Sequence, residues 1–208
     1  MARWEPNASE RLLDAAMALF RERGFDETTV AEIAARAGLT ERTFFRYFAD
    51  KREVLFGGSA ALRELLVGKV AGAAEGTTPI EAVAAAVEAT SDMFEDRRAF
   101  SRQRSALIAS HPELKERELI KLATLAEAIA EALRRRGVGD RAASLAAEAG
   151  IAVFKLAFDR WVHDTERTLA QHVRETLSAL QAVAAGGGAG SSAPSPRARS
   201  RPVRRARR

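Results

Sequence analysis

Residues 25–53, FDETTVAEIAARAGLTERTFFRYFADKRE, constrain the fold more than any other stretch of the chain. Val30, Ile33, Ala34 and Ala37 recur at helical spacing. Gly38 follows where a left-handed residue closes a helix, since without a Cβ it takes positive φ at little cost. Thr40 is placed to cap a second helix, its hydroxyl accepting a free backbone N–H of the first turn. Inside that helix Phe44 and Phe48 fall four apart and face a core. Arg42, Thr43, Arg46 and Tyr47 occupy the opposite face. Ala34 is small where the two helices must cross closely. The pattern predicts a helix-turn-helix whose recognition helix covers about residues 40–47.

The flanking residues extend this reading. Ser9 is expected to cap an amphipathic helix with Leu12, Leu13, Ala16, Leu19 and Phe20 on its apolar face, ending at Gly24. The run LLDAAMALFRERGFDETTVAEIAARAGLTERTFFRYFADKREVL, Leu12 to Leu55, resembles the N-terminal domain of the TetR family of transcriptional regulators. The resemblance covers about the first quarter of the chain. It implies an all-α protein, with a three-helix DNA-binding head followed by a helical ligand-binding and dimerisation body.

Composition sets limits around that expectation. The absence of cysteine excludes disulfides, thiolate nucleophiles and sulfur-ligated metals. The start, MARWEPNASERLL, lacks the apolar centre of a signal peptide, and no apolar run is long enough to span a bilayer, so a soluble, cytoplasmic protein without membrane partners is expected. The net charge of +5 is unevenly spread: residues 186–208 carry seven arginines and no acid, leaving residues 1–185 at −2. Residues 1–55 hold nine basic and ten acidic side chains, so DNA binding by the head must rest on a few well-placed cations.

In chain order, residues 1–8 read as a loose arm whose Arg3 either reaches a groove or frays. Helices are expected at about 9–23, 29–36, 41–47, 51–71, 79–94, 96–109, 112–136, 141–163 and 166–184, about nine in all, with no strand signal. Asp50 is expected to cap the fourth, and Gly57-Gly58 to soften it between head and body. Thr78-Pro79, His111-Pro112 and RGVGD at 136–140 mark junctions. The division is therefore a head at 1–53, a body at 54–185 and a basic tail at 186–208. That tail, glycine- and serine-rich and then arginine-rich, cannot order itself by burial; it either adds sequence-independent phosphate contacts or stays solvated.

Small and apolar residues recur on the last two long helices: Ala146, Ala149, Gly150, Val153 and Ala157 on one, Val173, Leu177 and Leu180 on the other. In the resembled family the last two helices pair with their mates in a four-helix dimer interface, and these residues are the expected interface here; ordinary intrachain core is the alternative.

The resemblance and the residue chemistry together assign the head's contacts. Thr29 and Thr40, at helix starts, are expected to hold phosphates. Arg42 and Thr43 face base edges, arginine matching guanine O6 and N7. Phe45, where family members often carry tyrosine, keeps apolar contact with a thymine methyl and lacks a hydroxyl. Arg46, Tyr47 and Lys51 are assigned to phosphate. Glu41 either accepts from a cytosine amino group or stabilises the helix dipole.

The same family is regulated by a small molecule entering the body, so the expected function is a homodimeric repressor bound to double-stranded palindromic DNA and released by an effector. Candidate lining residues are Met93, Phe94, Phe100, Leu107, Leu125, Phe154, Phe158 and Trp161, with plain core packing as the alternative. The segment RRAFSRQRSALIASHPELKER, with a later FDRW, is similar to TetR-type regulators related to the mycofactocin regulator, which implies an acyl-CoA-like or other hydrophobic effector. Arg97, Arg98, Arg102 and Arg104 either meet its phosphate or carboxylate or form a solvated face. His111, His163 and His172 come with no phosphate loop, metal-ligand pair or nucleophile elbow, so neither an enzyme nor a cofactor is expected. The rival readings are a non-specific DNA-coating protein working through its tail, and an activator.

Overall fold

A computed structural model describes residues 8–186; the N-terminal arm and the arginine-rich tail lie outside the described residues. Among these there are ten α-helical segments and no strand: α1 (Ala8–Arg23), α2 (Val30–Arg36), α3 (Glu41–Tyr47), α4 (Ser59–Ala71), α5 (Pro79–Ala89), α6 (Ser91–Phe94), α7 (Arg98–Ser110), α8 (Pro112–Arg135), α9 (Asp140–Trp161) and α10 (Leu169–Ala184).

Two departures from the expected boundaries have local causes. The helix expected from Lys51 begins only at Ser59. Asp50 Oδ1 accepts the N–H groups of Arg52 and Glu53 at 2.8 and 3.1 Å, which tightens residues 53–56 into a 3-10 turn, and Gly57-Gly58 then separates that turn from α4. The helix expected at 79–94 is split at Thr90, which is buried and donates its hydroxyl to Val87 O at 2.7 Å, bonding back onto its own turn.

The apolar residues form two cores. The first gathers Leu12, Phe20, Ile33, Phe44 and Phe48 of α1–α3 with Val54, Leu55 and Phe56 of the 3-10 turn, and is completed from the body by Ile108 of α7 and Leu114 of α8. The second lies in the body, with α9 packed against α5, α8 and α10. Close packing there depends on Gly150, where a Cβ would stand 2.1 Å from Val83 Cγ1 of α5. Among the described residues no helix is long and apolar enough to cross a membrane.

Candidate nucleic-acid interface

The turn between α2 and α3 is held as its sequence predicts. Gly38 has φ +66°, its N–H donates to Ala35 O at 3.0 Å, and the N–H of Leu39 donates to Ala34 O at 2.8 Å. That pair of bonds satisfies the last carbonyls of α2 and turns the chain into α3. Thr40 caps α3, its Oγ1 accepting from Thr43 N at 3.2 Å. Phe44 is fully buried and anchors the helix, leaving the other face to solvent.

On that face Arg42, Phe45, Arg46 and Tyr47 are all exposed. Phe45 is 55% exposed yet its ring stands edge-on to the buried Phe44, centroids 5.5 Å apart, which fixes its direction. Arg46 lies over the Tyr47 ring at 5.0 Å and donates to its Oη at 3.2 Å, so the cation is held against the aromatic surface. Thr43 is half-buried, its hydroxyl 3.0 Å from that of Thr40.

Two residues assigned to phosphate are occupied within the protein. The Lys51 ammonium donates to the carbonyls of Phe25, Asp26 and Thr28 at 2.8, 3.0 and 3.1 Å and sits 4.5 Å from the Phe25 ring centroid. Its three donors therefore tie the loop between α1 and α2. Thr29 forms a capping box with Glu32, whose Oε2 accepts both the Thr29 N–H and its hydroxyl at 2.9 Å. The Thr29 backbone bond, then its hydroxyl bond, hold the Glu32 carboxyl below its ordinary value, so a carboxylate already stands where an anion was expected.

The four arginines on and just before α7 differ in placement: Arg97 and Arg102 are exposed, Arg98 and Arg104 half-buried. Arg98 bonds the carbonyls of Asp164 and Arg167, Arg102 Nε donates to Val162 O at 2.6 Å, and Arg97 lies 4.8 Å from the Phe100 ring centroid. Arg104 Nε reaches Leu55 O at 2.7 Å. The first turns of α7 thus grip the end of α9 and the turn before α10, and Arg104 at its middle grips the 3-10 turn that closes the head core. A second tie was not legible locally: Glu53 accepts from Arg117 and Lys121 of α8 at 2.5 and 3.0 Å.

The effector candidates divide between the two cores. Phe94, Phe154, Phe158 and Trp161 form one aromatic cluster, with neighbouring centroids 5.2–6.4 Å apart, and Leu125 belongs to the same core. Phe100 and Leu107 pack against the head core, so they do not line the same place. Met93 is half-buried one residue before Phe94.

The expected interface stripe also needs correction. Ala146, Gly150, Val153, Ala157 and Val173 are buried inside the chain, where small size serves the crossing of α9 with its neighbours. Ala149, Leu177 and Leu180 remain partly accessible. Large apolar side chains left uncovered on the body are Leu145 and Leu156 on α9, 65% and 51% exposed, Val183 on α10, 70% exposed, and Leu119 and Ile120 on α8, 50% and 58% exposed. Of the three histidines, His111 sits edge-on to Phe25 and His172 pairs with Asp164, both structural placements. No group of His, Asp or Glu among the described residues is placed to hold a metal.

Comparison with known proteins agrees with this architecture. Residues 12–56 match the family described as bacterial regulatory proteins, tetR family, and residues 77–185 match the MftR C-terminal domain. The chain belongs to the TetR family of transcriptional regulators, with a body of the MftR type. It is 29% identical over 161 residues to the Mycobacterium tuberculosis protein assigned as the mycofactocin biosynthesis transcriptional regulator MftR, covering 76% of this chain and 81% of that one. Over 80 residues it is 34% identical to the HTH-type transcriptional regulator TcmR of Streptomyces glaucescens, covering 38% of this chain and 35% of TcmR. Among solved structures it is similar to the TetR-family repressor FadR of Thermus thermophilus in complex with lauroyl-CoA, at TM-score 0.51 and 29% identity, covering 90% and 98% of the two chains. The fold is shared with Bacillus subtilis FadR in complex with stearoyl-CoA, at TM-score 0.56 and 19% identity, covering 82% and 96%.

Proposed function

We propose that this regulator is a cytoplasmic homodimeric repressor that binds a palindromic operator and is released by a hydrophobic effector such as an acyl-CoA. The observation that carries the DNA-reading part is α3 itself: capped by Thr40, anchored by Phe44, and presenting Arg42, Phe45 and Arg46 to solvent. Arg42 is the base reader, matched to guanine; Phe45 offers a fixed apolar surface to a thymine methyl; Arg46 and Tyr47 meet phosphate. Thr40 and Thr43 lie at the N-terminus of α3, where backbone N–H groups favour an anion. The head reads DNA, and the body behind it binds effector and dimerises.

The dimer face in this reading runs along Leu145, Ala149 and Leu156 of α9 with Leu177, Leu180 and Val183 of α10. The exposure of Leu145 and Leu156 on α9 and of Val183 on α10 supports it. A two-fold dimer would set its recognition helices about 34–36 Å apart or a multiple of that. The effector reading is supported by the aromatic cluster of the body and by the acyl-CoA complexes of the two FadR proteins. Adding lauroyl-CoA to the protein–operator complex tests it: loss of the DNA anisotropy signal supports release, and an unchanged signal with lauroyl-CoA bound contradicts it.

A further inference from the structure

Four side-chain polar atoms of the body are buried without a hydrogen-bond partner in the protein: Ser91 Oγ, Trp161 Nε1, His172 Nδ1 and Thr176 Oγ1. Their residues are 6%, 0%, 4% and 5% exposed. They belong to one region. His172 and Thr176 stand one turn apart on the buried face of α10, which packs against α6 and α9. Ser91 lies on α6 one turn before Phe94, whose ring is 6.4 Å from that of Trp161 at the end of α9. An orphaned buried donor or acceptor is costly, so native proteins rarely hold one without a use for it, and still less several together.

The carboxylates beside this region, Asp164 and Glu95, are already engaged. His172 Nε2 lies 3.1 Å from Asp164 Oδ2, and Asp164 Oδ1 accepts the N–H groups of Glu166 and Arg167. Glu95 accepts from Arg98 and from the Leu169 N–H. Arg98 also bonds two carbonyls and lies 4.9 Å from the Trp161 ring centroid. With Nε2–H of His172 donating to Asp164, Nδ1 is an acceptor; Trp161 Nε1 only donates; the two hydroxyls do either. The orphan set therefore includes no carboxylate, ammonium or guanidinium.

We infer that these four atoms, beside the aromatic cluster of Phe94, Phe154 and Phe158, form the polar end of a binding site for an apolar molecule with an uncharged hydrogen-bonding head such as an amide, ester or thioester. This deepens the effector reading above and rests on it. A free carboxylate suits the site less well than a neutral head, because Arg98, the cation over the Trp161 ring, is already committed to Glu95 and to two carbonyls.

The test uses full-length protein carrying Trp4→Phe, which leaves Trp161 as the single tryptophan. Octanamide and octanoate, alike except for the charge of the head, are titrated at pH 7 while Trp161 fluorescence is followed. The site predicts saturable octanamide binding at least about tenfold tighter than octanoate. Thr176→Val keeps the side-chain shape and removes an orphan hydroxyl, so it raises the melting temperature while weakening octanamide several-fold; Ser91→Ala serves as the second variant. Equal affinity for the two probes, no fluorescence response, or a Thr176→Val protein that melts lower and binds octanamide unchanged overturns the inference. A parallel DNA-release assay separates the two ideas. Octanamide bound through Thr176 without releasing DNA sinks the effector reading and keeps the site. DNA release by lauroyl-CoA that is the same in Thr176→Val keeps the effector reading and sinks the site.

Discussion

Arg104 of α7 donates through Nε to the carbonyl of Leu55 at 2.7 Å, with its guanidinium 5.0 Å from the ring of the neighbouring Phe56. It also pairs with Glu118 of α8 at 3.2 Å. One body side chain thereby closes the underside of the head core. Burial pushes its guanidinium below the ordinary value, although Glu118 opposes that shift. Arg104→Met keeps most of the apolar stem but leaves Leu55 O and Glu118 without their donor. We expect a loss of about 2 kcal/mol, the range for a hydrogen bond to a charged group, measured by urea denaturation; an unchanged midpoint would contradict the role assigned to Arg104.

Glu53 makes the second tie between head and body, and it makes that tie pH-dependent. Burial pushes its carboxyl up, but hydrogen bonds from Lys121 and then Arg117 bring it below its ordinary 4.5. A folded pKa below the unfolded one stabilises fully above the unfolded value and fades as pH falls through the folded value. Melting temperature should therefore fall as pH drops from about 5 to 3. Glu53→Gln should melt lower at pH 7 and fall less steeply with acid. An identical pH profile in the variant would remove Glu53 from the account.

Lys51 and Arg46 separate a structural cation from a DNA-binding one. Arg46→Ala should reduce the slope of log K against log salt by about one, as expected for one lost phosphate contact, with little change in melting. Lys51→Met should lower the melting temperature, because three carbonyls lose their donor, while leaving the salt slope near wild type. The reverse pattern would return Lys51 to phosphate.

Leu145 and Leu156 carry the dimer reading. Leu145→Glu with Leu156→Glu places charges on two exposed positions, so the folded chain should survive with near wild-type helicity. Sedimentation velocity should then report a monomer. A dimer that persists would move the interface elsewhere.

The short-range features of the fold were legible, and the long-range ones were not. Gly38, Thr40 and the Thr78-Pro79 start all act within about four residues, and each is found as its sequence predicts. The bonds of Glu53 with Arg117 and Lys121 join residues more than sixty apart, beyond any local spacing. For the same reason nothing near Lys51 announced the Phe25–Thr28 carbonyls. The small-residue stripe of α9 misled because periodicity reports that a face is covered, not by what. Gly150 is covered by Val83 of its own chain. The exposed Leu145 and Leu156 fall outside that stripe and carry no signal of small size.

Sequence reading by the head is checked by fluorescence anisotropy. Wild type and Arg42→Ala are titrated onto duplex DNA upstream of the protein's own gene and onto a scrambled duplex, at two salt concentrations. A preference of about 10³ or more for the upstream duplex is expected. That preference should persist at the higher salt and shrink by about tenfold or more in Arg42→Ala, as loss of a bidentate guanine contact requires. Equal binding to both duplexes, collapsing together as salt rises and unaffected by Arg42→Ala, would contradict it.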